Sequence, residues 1–297
     1  MAGIQIMKRD IRVLQSLGKH GVLDTEMIHR LHFSSVTERR CLQRISQYLE
    51  HGFIYKTSLR VWYDHGEQGG RMPAIYSLSD RGAQLLEELT GERPLRVSRS
   101  SPKPETLFHR LTIVRWRLAF DGAFEREGMA EPAWILEQDV RTDLTERVPP
   151  NQRSVLFHRF SVNGVPVCCK PDAASLFSIT TAEGNDYPFV FYWEIDRSTE
   201  GHEQIRTQKI RSYAELLKSQ PYLRYWPEAG QPKLRVVFAC PRDSRERRIK
   251  ALARTIQGTA LEPYVRFVSL QHCQSSRLLR DDVWRDAAGR KLRILND

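Results

Sequence analysis

Apolar positions along the first ninety residues fall at helical spacing three times before they fall at strand spacing. Between Asp10 and His20 they occupy Ile11, Leu14 and Leu17, which predicts a helix ended by Gly21. Asp24 is a capping residue for a short second helix through Met27, Ile28 and Leu31. Ser34 or Ser35 is placed to cap a third, running to Glu50 and closed by His51-Gly52. Leu42, Ile45 and Leu49 share one side of that third helix, and Arg40, Gln43, Arg44 and Gln47 fall almost opposite. Phe53 to Lys56 and Ala74 to Leu78 read as strands, and the polar, glycine-rich run Tyr63 to Arg71 between them as a hairpin tip. Ser79 then caps a helix carrying Leu85, Leu86 and Leu89.

The pattern breaks at Gly91. Residues 92–104 are rich in proline and serine, basic and without apolar periodicity, which predicts an extended linker. Glu105 to Gly128 is a long helix with two apolar stripes: Leu107, Leu111, Val114 and Leu118 in one, Ile113, Trp116, Phe120 and Phe124 in the other. A helix apolar on two sides lies between two layers or against a partner chain. His109 on it reads as a hydrogen-bonded packing residue.

Strands are expected at Ala133 to Leu136, Val167 to Cys169 and Phe189 to Ile195, then a helix from Thr199 to Leu217. Lys209 falls inside the buried arc of that helix, where a lysine is costly unless it meets an acid. The nearly all-apolar run Leu234 to Cys240 predicts a strand covered on both faces. A basic helix (Asp243 to Ile256) and a last strand (Tyr264 to Leu270) follow. The expected fold is therefore α/β (α+β overall): a winged helix-turn-helix over residues 1–91, a linker over 92–104, and over 105–297 an α/β sandwich of the restriction-endonuclease-like kind.

Composition narrows the partners. The formal net charge is +10 and the pI about 9.5, so the surface attracts polyanions, of which nucleic acid is the commonest in a cell. Neither a membrane span nor a secretion signal is expected. Five cysteines without Cys-x-x-Cys spacing read as buried thiols of a reducing cytoplasm. Guanidinium and amide groups are the chemistry that reads guanine and adenine edges. Arg39, Arg40, Gln43, Arg44 and Gln47 on the third helix are thus the expected base readers, with Lys56 and Arg71 on the hairpin meeting phosphates of double-stranded DNA.

Two stretches carry acids at strand ends, Cys169-Lys170-Pro171-Asp172-Ala173 and Val190 to Arg197 with Glu194 and Asp196. On adjoining strands, Asp172 and Glu194 would be placed to hold Mg²⁺, which polarises a phosphate and acidifies a water, while a lysine stabilises developing charge. Pro171-Asp172 followed by Glu194 resembles the PD-(D/E)xK nuclease signature. Asp196 stands where that signature has lysine, so Lys170 or Lys209 would have to substitute. The site is expected either to be a catalytic set (Asp172, Glu194, Lys170, Lys209) or to consist of ion pairs that orient strands.

A narrower resemblance rests on Phe108-His109-Arg110-Leu111, Lys170-Pro171-Asp172-Ala173, Trp193 to Glu200 and Lys209-Ile210-Arg211-x-Tyr213. With the winged helix before them, these resemble the replication-relaxation family. That resemblance implies a DNA-binding protein of a plasmid or conjugative element, acting in replication, relaxation or mobilisation. It also implies partners such as a relaxasome, a transposase or other mobile-element proteins. A metal-dependent endonuclease or nickase is the second expectation. A dimeric winged-helix transcription regulator, joined through the two-sided helix, is the third.

Overall fold

Asp10 shapes the start of the chain. Its carboxylate accepts from the backbone N–H of Met7 at 2.7 Å, so helix α1 (Lys8–His20) opens two residues before its apolar spacing predicts. Gly21 ends it at φ 81°, its N–H bonded to the Leu17 carbonyl at 2.8 Å. Strand β1 (Leu23–Asp24) follows, and the Asp24 side chain caps α2 (Thr25–His32) through the Met27 N–H at 2.8 Å. These coordinates are a computed structural model that describes residues 4–58, 62–63, 70–71, 74–98, 104–141, 148–149, 152–180, 185–196, 208–240, 245–269, 272 and 278–294.

Helix α3 (Glu38–Glu50) differs from expectation at its start and in its rotation. Ser34 and Ser35 sit in a turn closed by Val36 N–H on the Phe33 carbonyl, and Thr37 takes the capping position. The buried stripe is Cys41, Ile45 and Tyr48, whereas Leu42 is 44 % exposed. Tyr48 is the largest of these side chains, and burying its ring while bonding its hydroxyl to Asp10 at 2.6 Å sets the rotation.

Strand β2 (Ile54–Thr57) and strands β3 (Trp62–Tyr63) and β4 (Gly70–Arg71) of a separate ribbon lead to β5 (Ile75–Leu78). β5 lies between β1 and β2, antiparallel to both. The hairpin tip, 64–69, lies outside the described residues. Ser79 caps α4 (Asp80–Thr90): its hydroxyl accepts from Gly82 N–H and donates to the Gly52 carbonyl. A Cβ on Gly82 would meet the Phe53 carbonyl oxygen at 2.2 Å, so only glycine fits there. Helix, strand, two helices and a hairpin is the winged helix-turn-helix arrangement.

Residues 92–98, the described start of the expected linker, are bonded to the first unit. Ser98 N–H bonds the Leu78 carbonyl at 2.9 Å, and the buried Arg96 donates to the carbonyl of Lys19. Residues 99–103 lie outside the described residues. The chain divides into two compact units, Met1–Val114 and Arg115–Asp297, and the division falls inside helix α5 (Pro104–Arg126).

The second unit is built on a seven-stranded sheet. Its strands are β6 (Ala133–Leu136), β9 (Ala173–Thr180), β10 (Asp186–Ile195), β11 (Lys233–Cys240), β12 (Val265–Ser269), β13 (Trp284–Arg285) and β14 (Lys291–Leu292), in the order β14-β13-β12-β11-β10-β9-β6. β10, β11 and β12 are parallel and the other pairings antiparallel. Side chains alternate across β10. Phe189, Phe191 and Trp193 pack with Phe177, Trp284 and with Trp116 and Phe120 of α5. Val190 and Tyr192 face the opposite core, with Tyr213 and Leu216 of α6 (Ile210–Ser219) and Ile249 and Leu252 of α7 (Arg245–Ile256). Helix, three strands, helix, strand, helix, strand is the expected order of the sandwich, but the second of the three strands is β9 and not the expected Val167 to Cys169; the all-apolar β11 is covered on both faces.

Besides β9, two features of this unit depart from expectation. Val167 to Cys169 belongs to a hairpin of its own, β7 (His158–Val162) with β8 (Val165–Cys169), and not to the main sheet. Asp172 therefore stands before the first residue of β9 and not at the end of a strand. The short β13 and β14, with too few residues to show a period, extend the sheet past β12. Cys41, Cys169 and Cys240 are buried as expected, but Cys168 is exposed. No helix among the described residues is long and apolar enough to cross a membrane.

Candidate acidic site and nucleic-acid interface

β9 starts, and β6 and β10 end, at the same end of the sheet, because β9 is antiparallel to both. The register pairs Trp193 with Ala173 and Ala173 with Leu136. Glu194, Asp172 and Glu137 are each the next residue beyond those pairs, so three acids from three strands gather in a row. Asp172 N–H bonds the Trp193 carbonyl at 3.0 Å, and Glu137 N–H bonds the Asp172 carbonyl at 2.9 Å. An Asp172 oxygen accepts from Ile195 N–H at 2.7 Å. Carboxylate oxygens of Glu137 and Asp172 lie within 4.8 Å of each other.

Glu194 is 5 % exposed. Lys209 Nζ, in the turn that leads into α6, donates to one of its oxygens at 2.5 Å, and the buried Tyr213 hydroxyl, one turn along α6, donates to the other. Burial raises the Glu194 carboxyl, the Lys209 charge pulls it down and the Asp172 charge pushes it up again, and the balance leaves it at about 7. Of the two candidate lysines, Lys209 reaches an acid of this row, Glu194. Lys170 is exposed two residues before Asp172, and Asp196 is half-exposed just beyond β10. Residues 197–207, with the expected first half of the helix, lie outside the described residues. Neither Glu137 nor the Tyr213 hydroxyl is marked as a partner of these acids by periodicity or motif. The available signal for Glu137 was an acid directly after a strand, as at Ile195-Asp196.

In the first unit, α3 divides its polar residues between two tasks. Arg39, Arg40 and Gln43 are exposed, as is Lys56 on β2. Arg44 is held inside the fold: its guanidinium grips both oxygens of the buried Asp10, and it also bonds Gln47 Oε1 at 2.6 Å and the Gln5 carbonyl at 2.7 Å. Burial pushes the Asp10 carboxyl up, but hydrogen bonds from Arg44, Tyr48 and the Met7 N–H outweigh it and leave Asp10 below its ordinary value. A hollow of about 550 Å³ beside α3 is lined by Lys8, Arg9, Arg40, Gln43, Arg44 and Gln47, among others. Arg71 occupies β4 opposite Trp62 in the ribbon register.

The family model described as replication-relaxation matches residues 14–229, well over half of the chain. The chain belongs to the replication-relaxation family. The matched span holds the third helix, the hairpin, Asp172, Glu194 and Lys209 together. No curated protein matches the chain. Among solved structures, it is similar to Bacillus subtilis PadR in complex with operator DNA, at 16% identity over 42% of this chain and 72% of that one, with a TM-score of 0.22. It is also similar to the restriction endonuclease FokI, at 12% identity over 92% of this chain and 45% of that one, TM-score 0.24. FokI bound to DNA aligns over the same shares at 14% identity, TM-score 0.24. Superpositions this loose leave the fold resting on strand order and register.

Proposed function

We propose that this chain is a DNA-binding protein acting in the replication, relaxation or mobilisation of a mobile genetic element. In this reading α3 enters the major groove, and the nuclease-like sandwich contacts DNA or a partner protein. The carrying observation is the exposed side of α3, where Arg39, Arg40 and Gln43 stand clear of the Cys41, Ile45 and Tyr48 stripe. Leu42, exposed among them, suits contact with a thymine methyl group. Lys56 supplies a phosphate contact beside the groove.

Selection of a preferred duplex from a random library tests this. On the selected site, Arg39→Ala, Arg40→Ala and Gln43→Ala are each expected to lose about 1–3 kcal/mol of preference where the contact is bidentate. Lys56→Ala weakens all duplexes alike and lowers the salt slope by about one. Unchanged preference in all three α3 variants sinks the reading.

A second reading, a metal-dependent endonuclease, is favoured by one observation: Lys209 delivers an ammonium to Glu194 although Asp196 stands in the lysine position of the signature. The oxygen donors of Asp172 and Glu194 suit Mg²⁺, and these residues would hold it. The ion would polarise a phosphate and acidify a water. Glu194, with both oxygens engaged, would have to share them. Supercoiled plasmid with Mg²⁺ or Mn²⁺ decides: nicking that disappears in Asp172→Ala and Glu194→Ala supports cutting, and intact plasmid under both metals with the selected site present refutes it.

A further inference from the structure

The β7–β8 hairpin packs one face and leaves the other open. His158 and Cys169 are buried at its root, and Phe160 packs against the core that holds Tyr213 and Leu216 of α6. Arg211 of α6 donates to the Val162 carbonyl at 3.2 Å. The pairs Arg159 with Cys168 and Ser161 with Pro166 turn the other way, and all four side chains are exposed. Asn163 and Gly164 close the hairpin at φ 53° and 78°, both left-handed as a type I′ turn requires. A Cβ on Gly164 would meet nothing within 4 Å. The ribbon is thus anchored along one side, and open along the other and at its tip.

The open side has the chemistry of a groove reader. Between Glu146 and Asp172 the chain carries Arg147, Arg153, Arg159 and Lys170 and no acid, so the ribbon itself brings no negative charge toward phosphates. Arg159, Ser161 and Asn163 recur at every second position, and guanidinium, hydroxyl and amide groups bond base edges. A two-stranded ribbon fits the major groove, which is about 12 Å wide. Residues two apart on a strand lie about 6.8 Å apart, close to two base-pair steps. Apart from Pro166 and the Cys168 thiol this face is polar, which is too little apolar area for the core of a protein interface.

We propose that the β7–β8 ribbon is a second DNA-reading element, lying in the major groove with Arg159 and Ser161 on base edges and Asn163 at its tip. The inference rests on the DNA-binding reading above and gives the sandwich its share of it, contact with DNA. Lys170, exposed directly after β8, then meets a phosphate. Because the inner face is already packed, binding orders little new chain.

Selection from a random duplex library tests this on the full chain, its Arg159→Ala variant and its Ser161→Ala variant. Both side chains are exposed, so the packed face of the hairpin stays intact. Arg159→Ala should relax about two base pairs of the parent's site, different from those that Arg39→Ala relaxes. It should bind the parent's site about tenfold more weakly and unrelated duplexes nearly as well as the parent does. Cys168, across the ribbon from Arg159, gives a second readout. Its labelling by a maleimide, mapped by mass spectrometry, should slow several-fold when the selected duplex is bound. A parent that selects no site removes the DNA-binding reading and this inference with it. If the parent selects a site that Arg159→Ala and Ser161→Ala both keep at parental affinity, the inference alone falls. It falls too if Arg159→Ala weakens all duplexes equally, the mark of a phosphate contact, or if the duplex leaves Cys168 labelling unchanged.

Discussion

Each unit of this protein buries one acid against one cation and one tyrosine hydroxyl, and the two trios have opposite characters. In the first unit Asp10 meets Arg44 and Tyr48; in the second Glu194 meets Lys209 and Tyr213. The first carboxyl is held below its ordinary value and the second is raised to about 7. Three differences account for this. Arg44 grips both Asp10 oxygens, whereas Lys209 is a point charge on one oxygen of Glu194. Asp10 gains a backbone N–H from Met7. Glu194 lies deep, with the Asp172 charge beside it. A fully satisfied acid anchors a fold; one held between protonation states by burial and a neighbouring acid is what chemistry at a site requires.

Isosteric amides give the largest contrast. Asp10→Asn strips Arg44 of its counter-ion and should cost about 3 kcal/mol, the scale of breaking a buried pair. Glu194→Gln, replacing a carboxyl already near its midpoint at neutral pH, should cost about 1 kcal/mol or less. Urea transitions of the two variants at pH 7, each read in its own unit, check this, and equal costs would erase the distinction.

Removing one hydroxyl comes next. Tyr48→Phe takes a donor from an ionised acid and should cost about 2 kcal/mol, against about 1 kcal/mol for Tyr213→Phe. A reversed order in thermal unfolding would mean that Glu194 is the fully ionised member.

The smallest effects are those of pH. Because Asp10 is depressed in the fold, its contribution is present above pH 3.8 and lost as pH falls through its folded value. Glu194 is raised, so its contribution is greatest below pH 4.5 and is lost as pH rises through about 7. Carboxyl carbon shifts in metal-free buffer should show the two titrations on opposite sides of the ordinary carboxylate range. Asp10→Asn should remove the acid limb of the stability curve, and Glu194→Gln should flatten the window from 4.5 to about 7.

Local chemistry was legible residue by residue. Asp24 and Ser79 cap the helices they precede, Gly21 ends α1, and the all-apolar Leu234 to Cys240 is the covered strand β11. Lys209 was marked as a lysine in need of an acid, and Asp172 and Glu194 as acids that neighbouring strands would bring together. Each of those inferences needs only a helical period, a strand period or the cost of burying a charge. The rotation of α3 was not legible, because Leu42 and Tyr48 compete for one core and the winner depends on Asp10, 38 residues away.

The sequence by itself determined the order of elements and the inventory of charged groups, since capping, periodicity and composition act over a few residues. Tertiary structure alone decided which cation each acid received. It turned Arg44 inward to Asp10 and away from the exposed side of α3, placed Asp172 before β9 instead of after β8, and set Tyr213 on Glu194. Those outcomes depend on registers and packing between segments far apart in the chain, where the balance of desolvation against pairing is settled only once the partners meet.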